Sequence, residues 1–301
     1  MSFLFDRIAK VIIGTSTIEA LIFDERFRIS FSISKTNTSV PTISTISIYN
    51  LSRNDRNNIE NIPAENLKRI GNEGPLLCLL YAGYKEAAGY ELLYIGNITT
   101  VNTTYSPPDY ITEILCGNGL IPLNTTVINL SFAAGINTNQ IIKQLADALK
   151  MDISKSSNYL QNNISFAKGY SYSGLAKNAL DEITKETGLK WNVEKDQLLI
   201  TPIDKASKDV IIELDATSGL IGIPTKNSNN QVGDIFNSSD YEGWSIKTLL
   251  QPSIIPNRKI RVISKEVVKD FLIDSIDHKG DTRSGEWISE IETRASGIGG
   301  L

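Results

Sequence analysis

The chain has 301 residues, 41% of them hydrophobic and 21% charged, with a formal net charge of -4. This length suits one large domain or two to three ordinary ones. The charge balance excludes the clustered lysines and arginines that free-standing nucleic-acid binding needs.

Metal, redox and membrane chemistry are also restricted by composition. The single histidine, His278, excludes a two-histidine metal site, and the two cysteines, Cys78 and Cys116, exclude a disulfide framework. No apolar run approaches the roughly 20 residues of a membrane-spanning helix. The N-terminal segment lacks the basic leader of a signal peptide, so we expect a cytoplasmic chain with reduced cysteines.

Residues 1–118 have the pattern of a β-rich domain. The strand candidates, apolar and in part alternating, lie at 26–34, 43–51, 76–84, 92–98 and 110–116. Ser52 can cap a short helix that runs toward Pro63. The Pro-Pro pair within residues 105–109 predicts a break before the last strand. We expect about six strands in a closed or nearly closed barrel, which leaves no open sheet edge.

Residues 119–205 change to helical periodicity. We expect one helix over 138–150, capped by Thr138, and a second over 173–188, capped by Ser173. A hairpin with strands at 189–194 and 197–202 should follow. This segment predicts a small α+β domain.

Residues 206–301 return to strand periodicity. Strand candidates lie at 210–214, 244–249, 259–264, 267–277 and 286–293. We expect a polar loop at 226–231 and a flexible tail at 296–301. The predicted fold class is therefore α+β, mainly β, with two β-barrel domains that flank the small α+β domain.

The densest polar cluster is Asp274-Ser-Ile-Asp-His-Lys-Gly-Asp-Thr282. One interpretation is a carboxylate and histidine site for metal or acid–base chemistry. The other is a strand end followed by a glycine turn in which side chains bind the backbone. One histidine is too little for a zinc triad, so the pattern favours the structural interpretation.

Two Ser-x-x-Lys matches, Ser32/Lys35 and Ser165/Lys168, have the spacing of a serine nucleophile with its lysine base. That mechanism needs both side chains on one helical face. In a strand, residues three apart point to opposite faces, so we expect Ser32 and Lys35 not to meet.

Two series of short motifs carry a family resemblance. The first runs Phe27-Arg-Ile-Ser-Phe-Ser-Ile-Ser-Lys-Thr36, Ile46-Ser-Ile-Tyr-Asn-Leu-Ser52, Ala82-Gly-Tyr84, Gly96-Asn-Ile98 and Gly117-Asn-Gly119. The second runs Gly219-Leu-Ile-Gly-Ile-Pro224, Leu249-Leu-Gln-Pro252, His278-Lys-Gly-Asp-Thr282 and Trp287. In this order they resemble the baseplate hub proteins of contractile-tailed bacteriophages, late control protein D-like proteins with two tail-tube-like domains. Gln251 and Asn257 depart from the family pattern and affect only local turn geometry.

The resemblance implies a structural, non-enzymatic hub subunit of the virion tail baseplate, assembled in the cytoplasm of a bacterial host. It implies a homotrimer whose tube-like β-barrel domains, residues 1–118 and 206–301, form a pseudo-hexameric ring. That ring would join the six-fold tail tube to the three-fold central spike and line the DNA channel.

The same resemblance sets the partners and the site chemistry. The partners would be further copies of the chain, the tail tube or distal tail protein, the spike and other baseplate proteins. Genomic DNA would pass only in transit during ejection, and stable membrane insertion is not expected. We expect no catalytic, cofactor-binding or metal-binding residues and no cofactor. Because a conduit should not hold the DNA it passes, a neutral or acidic wall is expected.

Two alternatives stay open from the sequence. One is a hub with peptidoglycan-cleaving activity in residues 119–205, although no lytic motif is present. Its carboxylates would come from Asp147, Asp152, Asp181, Glu182, Glu186 and Glu194. The other is the same architecture in a phage-derived contractile injection device without a genome.

Overall fold

The computed structural model describes residues 6–15, 18–69, 74–203, 205–208, 211–227 and 243–295. These residues are mostly β, with 51% in strands and 18% in helices. The predicted α+β, mainly β class is confirmed at this level.

Within the described residues, the front part of the chain contains seven strands and two helices. The strands are β1 Arg7–Thr15, β2 Ile18–Phe23, β3 Ile29–Thr36, β4 Ile43–Tyr49, β5 Leu77–Tyr84, β6 Gly89–Ser106 and β7 Asp109–Gly117. The helices are α1 Arg53–Glu60 and α2 Ile62–Arg69. Ser52 caps α1 as predicted, since its hydroxyl accepts the Asp55 N–H at 3.1 Å. Pro63 lies in the first turn of α2, where a missing N–H is tolerated.

The middle part is a small α+β unit. Its elements are α3 Leu120–Thr125, β8 Val127–Phe132, α4 Thr138–Leu149, β9 Asp152–Ile153, a 3-10 turn at Leu160–Asn162, β10 Tyr170–Leu175, α5 Ala176–Glu186, β11 Leu189–Glu194 and β12 Gln197–Pro202. The predicted hairpin is confirmed, as β11 and β12 pair antiparallel.

The two predicted caps in the middle part are wrong. Asn137 caps α4 in a capping box with Gln140, because the Thr138 hydroxyl donates instead to the Ile164 carbonyl oxygen at 3.1 Å. Ser173 lies within β10, which pairs with β8, and α5 begins only at Ala176.

The rear part, as far as the structure describes residues 206–301, contains six strands. They are β13 Ile212–Leu214, β14 Leu220–Asn227, β15 Gly243–Leu249, β16 Lys259–Ile263, β17 Val268–Asp281 and β18 Trp287–Ala295. The loop predicted at 226–231 is wrong for residues 226 and 227, which end β14. The rest of that loop and the predicted tail at 296–301 lie outside the described residues.

One 13-stranded sheet contains both β-rich parts. Its main path runs β14-β15-β18-β17-β3-β4-β7-β6-β5-β1-β2, and β13 and β16 are attached beside β17. The first half of β17 pairs with β16, and its second half pairs with β3 of the front part. The strand pairs of the described residues therefore do not close into a barrel in either part, and the predicted two-barrel arrangement is not confirmed.

The front and rear parts share one strand order. In the front part it is β3-β4-β7-β6-β5, and in the rear part it is β14-β15-β18-β17-β16. The long strand of each part, β6 or β17, also has a register shift at a corresponding point. The shift falls between Ile98 and Thr100 against β7, and between Ile273 and Ser275 against β18. The two parts are thus topological duplicates.

The buried apolar residues form three clusters that follow the three parts of the chain. The front cluster also includes Leu250 and Trp287 from the rear part. The middle cluster runs from Leu123 to Ile200, and the third lies within the rear part. The division into domains at 1–118, 119–205 and 206–301 stays a prediction.

Candidate functional site

The junction of β3 with β17 joins the two β-rich parts, and we refer to it as the seam. It comprises seven antiparallel residue pairs, from Thr36–Ser275 to Ser30–Asp281. Side-chain hydrogen bonds accompany it, among them those from Ser34 to Asp277, from Asn37 to Asp274 at 2.6 Å, and from Arg28 to Asp281 at 2.7 Å. The seam therefore combines a backbone ladder with polar side-chain contacts.

The seam places the polar cluster around His278 in a structural role. His278 is fully buried in β17, and its Nδ1 lies 2.8 Å from the Ser289 hydroxyl. Burial, with the positive charges of Lys35 and Lys195, lowers the pKa of His278 well below its ordinary value. The histidine is therefore neutral near pH 7.

The turn predicted at Gly280 lies further along the chain. Strand β17 continues to Asp281, and the turn follows at residues 282–286. There the Asp281 carboxylate accepts the backbone N–H of Arg283 at 2.8 Å. The predicted bonding of side chains to the backbone is confirmed, but the glycine serves packing instead of the turn.

Aromatic packing holds the end of the seam together. The Phe31 and Trp287 rings meet edge-on with centroids 5.4 Å apart, and Tyr84 lies 6.5 Å from Trp287. A Cβ on Gly280 would clash with the Phe31 ring and lie 2.8 Å from Trp287. Residues from both motif series thus meet at one place in the fold.

The exposed face of the shared sheet is rich in small polar side chains. Residues paired across neighbouring strands point to one face, so the register defines four rows. The rows are Asn102-Glu113-Ser47-Ser30-Asp281, Thr100-Leu115-Thr45-Ser32-Lys279-Ile288-Leu249, Ser34-Asp277-Glu290-Lys247-Ile221 and Thr36-Ser275-Glu292-Ser245-Thr225. We call this surface the polar face.

Acidic groups outnumber basic ones on the polar face among the described side chains. Lys247 and Lys279 both bind Glu290, at 3.2 and 2.8 Å. Arg28 neutralises Asp281 at 2.7 Å. The further carboxylates of the rows are Glu113, Asp277 and Glu292. Among the side chains that the structure describes, the face is therefore mildly acidic and carries no basic cluster that would hold a nucleic acid.

Two sheet edges of matching kind flank the polar face. Within the described residues, β14 pairs only with β15, and residues 99–106 of β6 pair only with β7. Ile221 and Ile223 on β14 are 37% and 52% exposed, and Tyr105 on β6 is 57% exposed. Edges of this kind are templates for a further strand.

A buried ion pair fixes the middle part to the front part. The Lys35 Nζ lies 2.6 Å from the Glu194 carboxylate and donates to the Leu93 carbonyl oxygen at 2.8 Å. Lys35 and Glu194 are 2% and 6% exposed. The sequence indicated that Lys35 is buried, because it follows the inward-pointing Phe31 and Ile33 at the two-residue spacing of a strand.

The prediction that Ser32 and Lys35 do not meet is confirmed. Ser32 is exposed on the polar face, whereas Lys35 points into the interior. In the second match, the Ser165 hydroxyl donates to the Gly135 carbonyl oxygen at 3.3 Å, and Lys168 is exposed.

A family comparison identifies the type of protein. The model of the family described as baseplate hub gp41 matches residues 8–238. The chain belongs to the baseplate hub gp41 family. It is a phage baseplate hub-type protein, and the expected tail and baseplate role is confirmed at this level.

Solved structures agree with the hub fold. The hub chain is similar to the 43 kDa tail protein of prophage MuSo2 from Shewanella oneidensis, with a TM-score of 0.62 and 10% identity over 96% of this chain and 97% of that one. The tail protein from Neisseria meningitidis MC58 has a TM-score of 0.60 and 12% identity over 96% of this chain and 97% of that one. The Escherichia coli c3393 protein, a type VI secretion component, has a TM-score of 0.59 and 10% identity over 95% of this chain and 77% of that one. None of the curated proteins matches the hub chain.

The carboxylates considered for peptidoglycan cleavage are dispersed over the middle part of the hub chain. Glu194 pairs with Lys35, and Asp181 accepts the Trp191 indole N–H at 2.9 Å. Asp147 and Asp152 line an open cleft of about 480 Å³ beside α4, whereas Glu182 and Glu186 are exposed on α5.

No group of three or more His, Cys, Asp or Glu side chains within the described ranges is placed to hold a metal ion. In the same part of the chain, no helix has the length and apolar character needed to cross a membrane.

Proposed function

We propose that the hub protein forms a homotrimeric, pseudo-hexameric ring that joins the six-fold tail tube to the three-fold central spike. The observation that carries this proposal is the duplicated strand order of the front and rear parts. Each chain supplies two equivalent units, which we assign to residues 1–118 and 206–301 as tube-like domains. Three chains then supply six units, so one ring matches a six-fold partner on one side and a three-fold partner on the other.

The polar face lines the DNA channel in this ring. Hydroxyl side chains with a mild excess of carboxylates present no cationic row to the phosphates of passing DNA. The seam supports this assignment, because it already joins two of the six units edge to edge with the polar face continuous across it.

The ring is tested by mass and shape. Purified hub protein should have the mass of three chains by light scattering and appear in negative stain as rings with a central hole. A monomeric mass at the highest concentration reached would contradict the proposal.

The proposed role is structural, without enzymatic activity. The structure gives Glu194 and Asp181 partners within the fold, which supports a packing role for these two acids. A peptidoglycan zymogram tests this point. Clearing by the purified hub protein would contradict the non-enzymatic role and favour cleavage by the middle part.

A contractile injection device without a genome is the second candidate. It is favoured by the fold similarity to the c3393 protein of the type VI secretion system and to the Francisella PdpA–VgrG complex, with a TM-score of 0.55 for its half-lidded form. The two settings differ in gene neighbourhood: capsid genes beside the hub gene support a virion, and their absence supports the device.

A further inference from the structure

The internal seam predicts where one copy of the chain meets the next. In the front part, β3 occupies the position that β14 occupies in the rear part, and β6 corresponds to β17. The seam joins β3 to the second half of β17. By the same correspondence, β14 would pair with the second half of β6. These two strands lie at opposite ends of the eight strands that share the polar face. Within the described residues β14 and this half of β6 are not paired with each other, so the junction would form between two neighbouring copies.

We infer that β14 of one copy pairs antiparallel with residues 99–106 of β6 in a second copy, with Thr225 opposite Thr104. This inference rests on the proposed ring and specifies its contact. Each copy presents one edge of each kind, so the contact is head-to-tail and closes after three copies.

The register follows from the two duplicated rows. In the front part the row is Ser32-Thr45-Leu115-Thr100, and in the rear part it is Thr225-Ser245-Glu292-Ser275. Thr100 of β6 and Ser275 of β17 are each the first paired residue after the register shift of their strand. Ser32 and Thr225 are therefore equivalent.

The partner of Thr225 is found in the same way. Across the seam, Ser32 pairs with Lys279, which lies four residues after Ser275. The residue four positions after Thr100 is Thr104. Thr225 of one copy should then lie opposite Thr104 of the next.

The hydrogen bonds of the seam also indicate whether the inferred Thr225–Thr104 pair is a hydrogen-bonded or a non-hydrogen-bonded one. The Asn37 N–H bonds the Asp274 carbonyl oxygen at 2.9 Å, and the Thr282 N–H bonds that of Ile29 at 3.0 Å. Hydrogen-bonded pairs alternate with non-hydrogen-bonded ones along an antiparallel ladder, and Ser32–Lys279 falls on a non-hydrogen-bonded position. The equivalent pair, Thr225–Thr104, should have Cα atoms about 4.5 Å apart, within reach of a disulfide.

The side chains at both edges suit this contact. Thr104 and Thr225 are exposed in the single chain. The register brings the exposed Ile223 of β14 toward the end of β6 that carries the exposed Tyr105. Pairing would give backbone partners to the edge groups of β14 and β6, apart from the position of Pro224, which has no N–H to donate.

Disulfide trapping tests the register. The variant Thr225→Cys with Thr104→Cys, oxidised with glutathione disulfide, should give covalent dimers and trimers on a non-reducing gel. The matched control is Thr225→Cys with Asn102→Cys, two residues away on the same face. Its Cα separation is about 7–8 Å, so we expect about tenfold less cross-linking. The native Cys78 and Cys116 are fully buried and should not compete.

Light scattering on the same unoxidised samples separates the outcomes. A trimer that cross-links efficiently in the Thr104→Cys variant, and far less in the Asn102→Cys control, supports the inference. A trimer that cross-links instead in the Asn102→Cys control, or in neither variant, overturns the inferred contact and leaves the ring standing. A monomer in both variants and in the unmodified protein overturns the ring and the contact together.

Discussion

At Gly280, a missing side chain is what lets the rings of Phe31 and Trp287 meet across the seam. Both rings are buried, at 6% and 2% exposure, so neither can move into solvent to make room. We predict that Gly280→Ala destabilises the protein by about 1–3 kcal/mol, because overpacking forces side chains off their rotamers. Chemical denaturation of the purified variant measures this loss.

A double variant separates overpacking from a backbone effect. If the ring is the obstacle, adding Phe31→Leu to Gly280→Ala should make the pair less destabilised than the sum of the two single changes. Simple additivity would argue that the glycine is needed for its backbone alone.

His278 makes stability depend on pH. Its folded-state pKa lies well below the ordinary value of 6.5, so the unfolded chain binds more protons as the pH falls. The stability contributed by the neutral histidine is complete above about pH 6.5 and declines below it. Lowering the pH from 7.5 to 5.5 should therefore destabilise the folded state, because the unfolded chain takes up a proton that the buried histidine does not.

The comparison with His278→Asn isolates this effect. Burial raises the pKa of Asp196 to about 6, which favours the folded state as the pH falls through the same window. The absolute pH profile therefore mixes two opposing terms. The difference in unfolding free energy between wild type and His278→Asn should shrink toward acid pH, and a difference independent of pH would contradict a neutral buried histidine.

At the scale of elements, the Lys35–Glu194 pair links β3 to β11 and so ties the middle part to the sheet. Removing one partner leaves an uncompensated buried charge. We predict that Lys35→Met destabilises the protein by about 3–5 kcal/mol. Chemical denaturation followed by the summed fluorescence of the three tryptophans measures this loss.

The double variant Lys35→Met with Glu194→Met is the control for the buried charge. It removes both charges and should be more stable than Lys35→Met alone. A single variant as stable as wild type would show that the pair contributes nothing to holding the middle part.

Local periodicity predicted most elements whose one face is buried. Strands β3, β4, β11 and β12 and the helix α1 all fall where alternation or a cap placed them. It missed β1, because the partly exposed Ile12 is as apolar as the buried Val11 and Ile13 beside it, and β14, whose sequence includes Gly222 and Pro224. A glycine and a proline in one short segment hide a strand from pattern reading.

At the scale of the whole molecule, the sequence predicted two similar β-rich parts but not how they join. The seam pairs residues about 240 positions apart in the sequence, and no local pattern specifies a partner at that distance. The sequence did not predict the polar face either, because its rows of side chains can be identified only when the strand register is known. The sequence did indicate one property that such a face requires, which is the near-neutral net charge of the chain.

The mild acidity of the polar face leads to a prediction about DNA. Glu113 on β7 and Thr45 on β4 both belong to that face. Replacing them by lysine, Glu113→Lys with Thr45→Lys, changes the net charge by +3 per copy and +9 per ring. Since phosphate contacts dominate nucleic-acid affinity, the variant ring should retain duplex DNA at low ionic strength and release it at high ionic strength. The unmodified ring should not shift DNA in a native gel.

A charge-matched variant on an outer helix locates the effect. Glu60→Lys with Asn57→Lys changes two exposed residues of α1 by the same total charge, away from the polar face. If the polar face lines the conduit, this control should bind far less DNA than the Glu113→Lys, Thr45→Lys ring, because charges spread over the outer surface do not converge on one duplex. Equal retention by both variants would show that net charge alone decides binding and that the polar face has no special access to DNA.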